Sequence, residues 1–324
     1  MSRKLLISSV FLTLSVLLSS CSSSGVESIS GNLPVDITRS DLNTFTLANT
    51  NPIPGGTLLN AAGELTLVDD PSRIVAIAAG SAEVIAAMGL SGALVGRDLA
   101  SQSEALENVP VVTDVHAISI EKVLSTNPTL VLVDRQTAIA STISKIVSAG
   151  IQVIELPEVW TVAGVRQRIE NLGQGLGVAP AAAELLASMN SSTQFEKTDV
   201  RVAFLYLRGD SAIYLLGGLG SGADSLLEAG GLIDVGAEAK LGAFTPLTPE
   251  SLIALNPDVL LVMVKGLESV GGVEGLVQLP GVAQTEAAKN KRVVAVEDGL
   301  LLSFGPQTFS LIEELRKKIL DQIS

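Results

Sequence analysis

The sequence predicts an α/β fold built as two similar lobes, and three observations carry that prediction. One segment occurs twice: Ile118-Ser-Ile-Glu121-Lys-Val-Leu-Ser-Thr-Asn127-Pro128-Thr-Leu-Val-Leu-Val133 returns as Leu247-Thr-Pro-Glu250-Ser-Leu-Ile-Ala-Leu-Asn256-Pro257-Asp-Val-Leu-Leu-Val262. The two glutamates and the two prolines are each 129 residues apart, so a whole unit is repeated in one register. Leu130–Val133 and Val259–Met263 are continuous apolar runs after a turn signal, the pattern of strands covered on both faces. Such runs alternate with helical patterns along most of the chain, which implies parallel sheets flanked by helices.

At the N-terminus Arg3 and Lys4 precede the apolar run Leu5–Leu18, and Leu18-Ser-Ser-Cys21 follows. This order of charge, apolar stretch and small residues is that of a secretory signal. It resembles a bacterial lipoprotein signal, which implies a cleaved signal peptide over 1–20 and a lipidated Cys21, the only cysteine. The apolar run is short for a membrane span of roughly 20 residues. Without the two leader cations the chain has 19 Lys and Arg against 34 Asp and Glu, a net −15. That balance argues against nucleic-acid partners and for a soluble body held at the cell membrane. Residues 21–54, rich in Ser, Thr and Asn without periodicity, read as a flexible tether.

The first lobe is expected over 55–177. Gly55–Val68 holds two short strand-like runs around a turn, a hairpin pattern. Arg73–Ala78 reads as a buried strand and Ser81–Gly89 as a helix with Ser81 as N-cap and Gly89 as its stop. Strands at Leu94–Gly96, Val111–Val112 and Leu130–Val133 follow, then a helix near 138–149 and a strand at Ile151–Leu156. Residues 162–176 and 179–189 are rich in helix formers and broken by Gly177-Val-Ala-Pro180. A linker helix is expected over 178–197 and a second lobe over 198–324, opening at Val202–Leu207. The helix Ala223–Gly231 resembles Ala82–Gly89, a second trace of duplication.

Taken with Pro71–Ile77 and Ala82–Gly89, the two copies of the repeat resemble the helical-backbone class of ABC-transporter substrate-binding proteins, from about Gly55 to the C-terminus. These carry iron chelates, haem or cobalamin. The resemblance implies two Rossmann-like lobes with mostly parallel sheets, joined by a single long backbone helix, with ligand in the cleft between them. Open α/β sheets bind at the carboxyl ends of their strands, which agrees with that location. The resemblance also implies partners, an ABC permease and its ATPase, and gives Glu121 and Glu250 a role as the acids that meet basic residues of the permease. As acids in a first helical turn they also favour the helix dipole, by about 0.3–1 kcal/mol. A monomer is expected.

For the ligand, His116 is the only histidine, in Thr113-Asp-Val-His-Ala-Ile-Ser after the Val111–Val112 strand. One histidine does not make a zinc or manganese site, whereas haem needs only one or two axial ligands. In Arg201–Gly209 the strand period places Tyr206 and Arg208 on one face near the carboxyl end, and a cation beside a phenol favours phenolate, a donor for ferric iron. This resembles the haem-binding members of the class, in which a histidine of one lobe and a tyrosine of the other, with an arginine two residues on, clamp the iron. Arg97-Asp98 and Ile213–Asp224 resemble that subgroup too, so Arg97 and Tyr214 are expected to support the ligand, with Tyr214 as pocket wall. Many haem-binding relatives read Gly-Pro-Arg-Thr where this chain has Gly305-Pro-Gln307-Thr. Gln307 offers a propionate hydrogen bonds without charge, and Arg97 and Arg135 are the other candidates. Aromatic residues are only 3% of the chain, so aliphatic runs near Leu215 and Leu301 are expected as walls.

Arg97, Arg135 and Arg208 also suit an anionic ferric siderophore, and cobalamin is a third ligand of the class. A secreted hydrolase is the competing class, but Gly218-Leu-Gly-Ser221-Gly is one residue out of register with a Gly-x-Ser-x-Gly elbow. No P-loop occurs and no Gly-x-Gly-x-x-Gly follows a strand, so no enzyme is expected.

Overall fold

The computed structural model describes residues 35–114, 117–137, 139–189 and 195–324. In chain order its first strands are β1 (Val35–Ile37), β2 (Thr57–Leu59), β3 (Leu65–Leu67), β4 (Ile74–Ala76), β5 (Leu94–Arg97), β6 (Leu130–Val133) and β7 (Gln152–Glu155). Then come β8 (Arg201–Arg208), β9 (Ile213–Gly217), β10 (Ile233–Asp234), β11 (Phe244–Pro246), β12 (Val259–Met263) and β13 (Val293–Val296). Strands β5-β4-β6-β7 form one sheet, parallel throughout, and β2 and β3 pair as a separate hairpin. A second sheet has the order β1-β13-β12-β8-β9-β11, with β10 alongside the start of β8. It is parallel from β1 to β8, and β9 runs antiparallel to both of its neighbours. Every residue of β6 and β12 is buried, as their unbroken apolar runs require.

The duplicated segment forms the same unit in each sheet. The hydroxyls of Ser119 and Thr248 accept the N–H groups of Lys122 and Ser251, opening the helices Ile120–Ser125 and Pro249–Leu255. Asn127 and Asn256 then turn left-handed, with φ of 48° and 40°. Asparagine tolerates that region better than most residues, and the following proline excludes right-handed helix. An arginine beginning a neighbouring strand holds each helix end. Arg73 donates to the carbonyls of Thr126 and Asn127, and Arg201 donates to that of Leu255, the counterpart of Thr126. The carbonyls of the same two arginines accept the N–H groups of Thr129 and Asp258, again counterparts.

Three expectations are corrected. The tether expected over 21–54 gives way, from Val35 onward, to an ordered strap. β1 pairs with β13, Ile37 and Leu42 are buried, and the N–H groups of Leu47, Thr50 and Ile53 bond the carbonyls of Ala87, Gly89 and Leu176. Three residues of strand are too few to stand out in a polar stretch, and their partner lies at the other end of the chain. Within the linker helix expected over 178–197, the described residues show a helix at Ala179–Ser188 and no helix at 195–197. The longer helix Val162–Gly175 precedes it, with Gly177 at φ 71° between them. That longer helix touches both halves. Its Asn171 brackets Leu59 of the hairpin, its Arg168 donates to the carbonyls of Ser303 and Phe304, and its Val162 N–H donates to Ser225 Oγ. Ser81 is the first residue of its helix rather than the cap; Gly80, at φ 70°, precedes it, and the Ser81 hydroxyl bonds the Ala78 carbonyl.

One apolar core runs through both halves. It joins Ala76 and Leu132 of the first sheet to Ile169 and Leu172 of the long helix and to Phe204, Leu261 and Val296 of the second sheet. The outer face of each sheet has its own smaller cluster.

Candidate functional site

Several of the residues singled out in the sequence lie at or just past the carboxyl ends of strands: Arg97 ends β5, Arg208 ends β8, and Arg135 follows β6. At the end of β8, Tyr206 and Arg208 share a face, and the guanidinium carbon of Arg208 lies 4.8 Å from the centre of the Tyr206 ring. The Phe244 ring meets Tyr206 edge-on at 5.6 Å. Arg208 also reaches Asp298, just past the end of β13, at 3.9 Å. Tyr206 is half-buried against the shared core, and its hydroxyl has no hydrogen-bond partner among the described residues. The spacing that singled out Tyr206 and Arg208 thus corresponds to a real stacked pair.

Tyr214 does not join them. In the β8–β9 ladder it stands opposite Leu207, and Tyr206 stands opposite Leu215. Directly opposed residues share a face, so Tyr214 packs on the other side of the sheet, against the outer cluster. Arg97 is engaged as well. Its Nε donates to the carbonyls of Leu106 and Val109, and its Nη1 to those of Asp98 and Ser101, which braces the loop after β5. Beside it Asp98 is buried and accepts from the N–H groups of Ala100 and Ser101, and burial holds its carboxyl above the usual value. Arg135, past the end of β6, is exposed and has no ion-pair partner among the described residues. It borders an open pocket of about 670 Å³ with Asn60, Glu155 and Glu158.

Gln307 faces an arginine that sequence reasoning placed in a tether. Arg39 Nη1 donates to Gln307 Oε1 at 3.2 Å and pairs with Glu83 Oε1 at 2.7 Å. Its Nε meets Glu297 Oε1 at 3.1 Å, its backbone N–H donates to Glu297 Oε2, and its Nη2 donates to the carbonyls of Ala100 and Gly299. One guanidinium therefore ties the strap, the helix after β4 and the ends of β5 and β13. Glu83 is buried, which raises its carboxyl pKa, and the Arg39 charge opposes that rise. Nothing in the local sequence around Arg39 signals this, because its partners lie 44 to 268 residues away.

Glu121 and Glu250 are exposed and occupy the same first-turn position of the duplicated helices. Each helix runs back toward the amino end of the strand it feeds, so both acids lie on the side of the strands' carboxyl ends. Neither has an ion-pair partner among the described residues. His116, like Cys21 and the signal segment 1–20, lies outside the described residues. Of its surroundings, Thr113 and Ile118 bridge antiparallel and the Asp114 N–H bonds the Ala117 carbonyl. Ser221 is fully buried, away from any approaching substrate, and its hydroxyl has no partner among the described residues.

Residues 74–299 match the family model described as periplasmic binding protein. Among solved structures, the chain is similar to the haem-binding protein HmuT, with 29% identity and a TM-score of 0.78 over 89% of this chain and 97% of that one. HmuT variants in which a histidine, a tyrosine or an arginine two positions after that tyrosine is replaced by alanine match equally well. It is also similar to the periplasmic haem-binding protein RhuT from Roseiflexus sp. RS-1, with 32% identity and a TM-score of 0.69 over 79% of this chain and all of that one. The ABC transporter substrate-binding lipoprotein YvrC of Bacillus subtilis, itself uncharacterized, is 26% identical over 79% of this chain and 82% of its own.

Proposed function

Because the chain belongs to the periplasmic binding protein family, we propose that it is the extracytoplasmic receptor of an ABC importer and that its ligand is haem. The observation that carries the ligand is the Tyr206–Arg208 pair. A phenol oxygen suits ferric iron, and a guanidinium stacked at 4.8 Å offsets the charge that oxygen carries when it binds the metal. HmuT, similar along nearly its whole length, has been studied with a tyrosine and an arginine of this same spacing replaced. In this reading the two sheets are the cores of two Rossmann-like lobes, the helix Val162–Gly175 is the backbone between them, and haem enters the cleft where the strands' carboxyl ends meet. His116, after the Arg97–Val111 bridge, is the second axial ligand. Arg135 meets a propionate, since Arg97 is held by backbone carbonyls and Gln307 by Arg39. The same engagement of Arg97 weakens the siderophore reading, which needs several free arginines. Lipidated Cys21 anchors the protein to the membrane, and Glu121 and Glu250 dock it on the permease.

The visible spectrum of the purified protein with haemin tests the reading. A Soret shift is expected in the parent, with altered spectra for His116→Ala and Tyr206→Ala. No shift in the parent would end the haem assignment, and unchanged spectra in both variants would end the ligand assignment alone.

A further inference from the structure

We infer that Arg39, contributed by the strap outside the matched family region, is a positioning residue for the Tyr206–Arg208 pair. The statement rests on the reading of that pair as ligand-facing. Arg39 grips Glu297 twice, through its Nε at 3.1 Å and its backbone N–H at 3.1 Å, and grips the Gly299 carbonyl at 3.2 Å through Nη2. The residue between those two anchors is Asp298. Its Oδ1 is the carboxylate that faces Arg208, and its Oδ2 accepts the Lys265 N–H at 2.9 Å. Arg208 in turn lies over the Tyr206 ring. The path is a chain of contacts, Arg39 to the 297–299 turn, Asp298 to Arg208, and Arg208 to Tyr206.

Two further features make the grip specific. A Cβ at Gly299 would fall 2.5 Å from the Ala100 carbonyl oxygen and 2.8 Å from Arg39 Nη2, so the turn is fitted closely to the guanidinium and to the loop after β5. Arg39 is itself held by buried Glu83, whose side chain is 3% exposed. An ion pair so placed fixes geometry even where its net contribution to stability is small. Lysine cannot reproduce the arrangement, because an ammonium is a point charge and the five guanidinium donors are spread over a rigid fork. The 297–299 turn would then lose its anchors, and Asp298 its fixed place beside Arg208.

The test uses Arg39→Lys, which keeps a cation for Glu83, and the paired variant Arg39→Met with Glu83→Gln, which removes the buried charge. Both tyrosines are replaced by fluorotyrosine, and their two fluorine NMR signals are assigned with Tyr206→Phe and Tyr214→Phe. In protein without ligand, both Arg39 variants are expected to move the Tyr206 signal and leave that of Tyr214, on the other face, in place. An unmoved Tyr206 signal overturns the inference, whatever the ligand is. With haemin, Arg39→Lys is expected to weaken binding about tenfold in the parent and less than about twofold in an Arg208→Ala background, the signature of two residues acting along one path. Equal weakening in both backgrounds would reduce Arg39 to a general structural role and overturn the inference. A parent protein that does not bind haemin would sink the haem reading and leave the fluorine result to decide the positioning.

Discussion

The two halves of the molecule share a framework and differ in what that framework presents. In each, a Ser or Thr cap, an exposed glutamate, a left-handed asparagine and a strand-initial arginine recur at matching positions. At the carboxyl ends the likeness stops. In the first half the acids are consumed locally: Asp134 accepts from Ala79 and Thr137, and Asp98 from Ala100 and Ser101. In the second half Tyr206 keeps its hydroxyl without a partner among the described residues, beneath a cation that is about one-third exposed. The repeated segment keeps the caps, turns and latches that build each half, and the halves differ most at the carboxyl ends of their strands.

The largest effect should come from the shared acids. Reversing both charges, Glu121→Arg with Glu250→Arg, is expected to abolish uptake in cells while haemin affinity in solution stays within about twofold; each single reversal should leave partial uptake. Normal uptake by the double variant would remove the docking role.

A buried acid separates the halves next. Asp234 caps the helix Val235–Glu238 through Oδ1, while Oδ2 is buried without a partner among the described residues, and burial raises its pKa to about 6. The folded state therefore keeps this proton up to about pH 6, whereas the unfolded chain releases it near pH 4. Stability is accordingly lost as pH rises between those values. Asp234→Asn should flatten that part of the stability curve by on the order of 2 kcal/mol, read as the difference between parent and variant in urea unfolding at pH 4.5 and pH 7. Parallel curves would refute the assignment.

The arginine latches should be felt less, and unequally. Arg73→Met leaves two helix-end carbonyls without their donor and Arg201→Met leaves one, and each should cost about 1–2 kcal/mol. Arg201 is expected at the upper end, because it also pairs with Glu238. Smallest are the turns. Asn127→Ala should destabilise by about 1 kcal/mol and Asn127→Gly by much less, since glycine accepts positive φ, whereas at Asn256 both substitutions also lose the bond from the Glu286 N–H to Oδ1. An alanine no worse than glycine would mean that the turns relax.

What could be read in the sequence was what is local or repeated. The Glu-to-Asn-Pro unit, the buried strands and the Tyr206–Arg208 face follow from short-range periodicity, and each is present in the structure. The four carbonyls that Arg97 meets are not legible in the sequence, because a charged residue at a strand end looks the same whether it faces a ligand or the next loop. Tyr214 was misjudged because its face is set by its register against β8, which spacing within β9 does not reveal. The strap was missed for a third reason. Its Val35-Asp-Ile37 run is a strand only by virtue of β13, and Arg39 a structural residue only by virtue of Glu83 and Glu297.

The pairing of β1 with β13 also orders events in time. The first strand among the described residues can be laid down only against one that is made more than 250 residues later, and contacts of such sequence separation close slowly. The rest of the second sheet has partners of its own and does not wait for β1. Docking the strap therefore closes a loop that spans nearly all of the described chain. Arg39 sits two residues beyond β1, so the same long closure carries its guanidinium to Glu297.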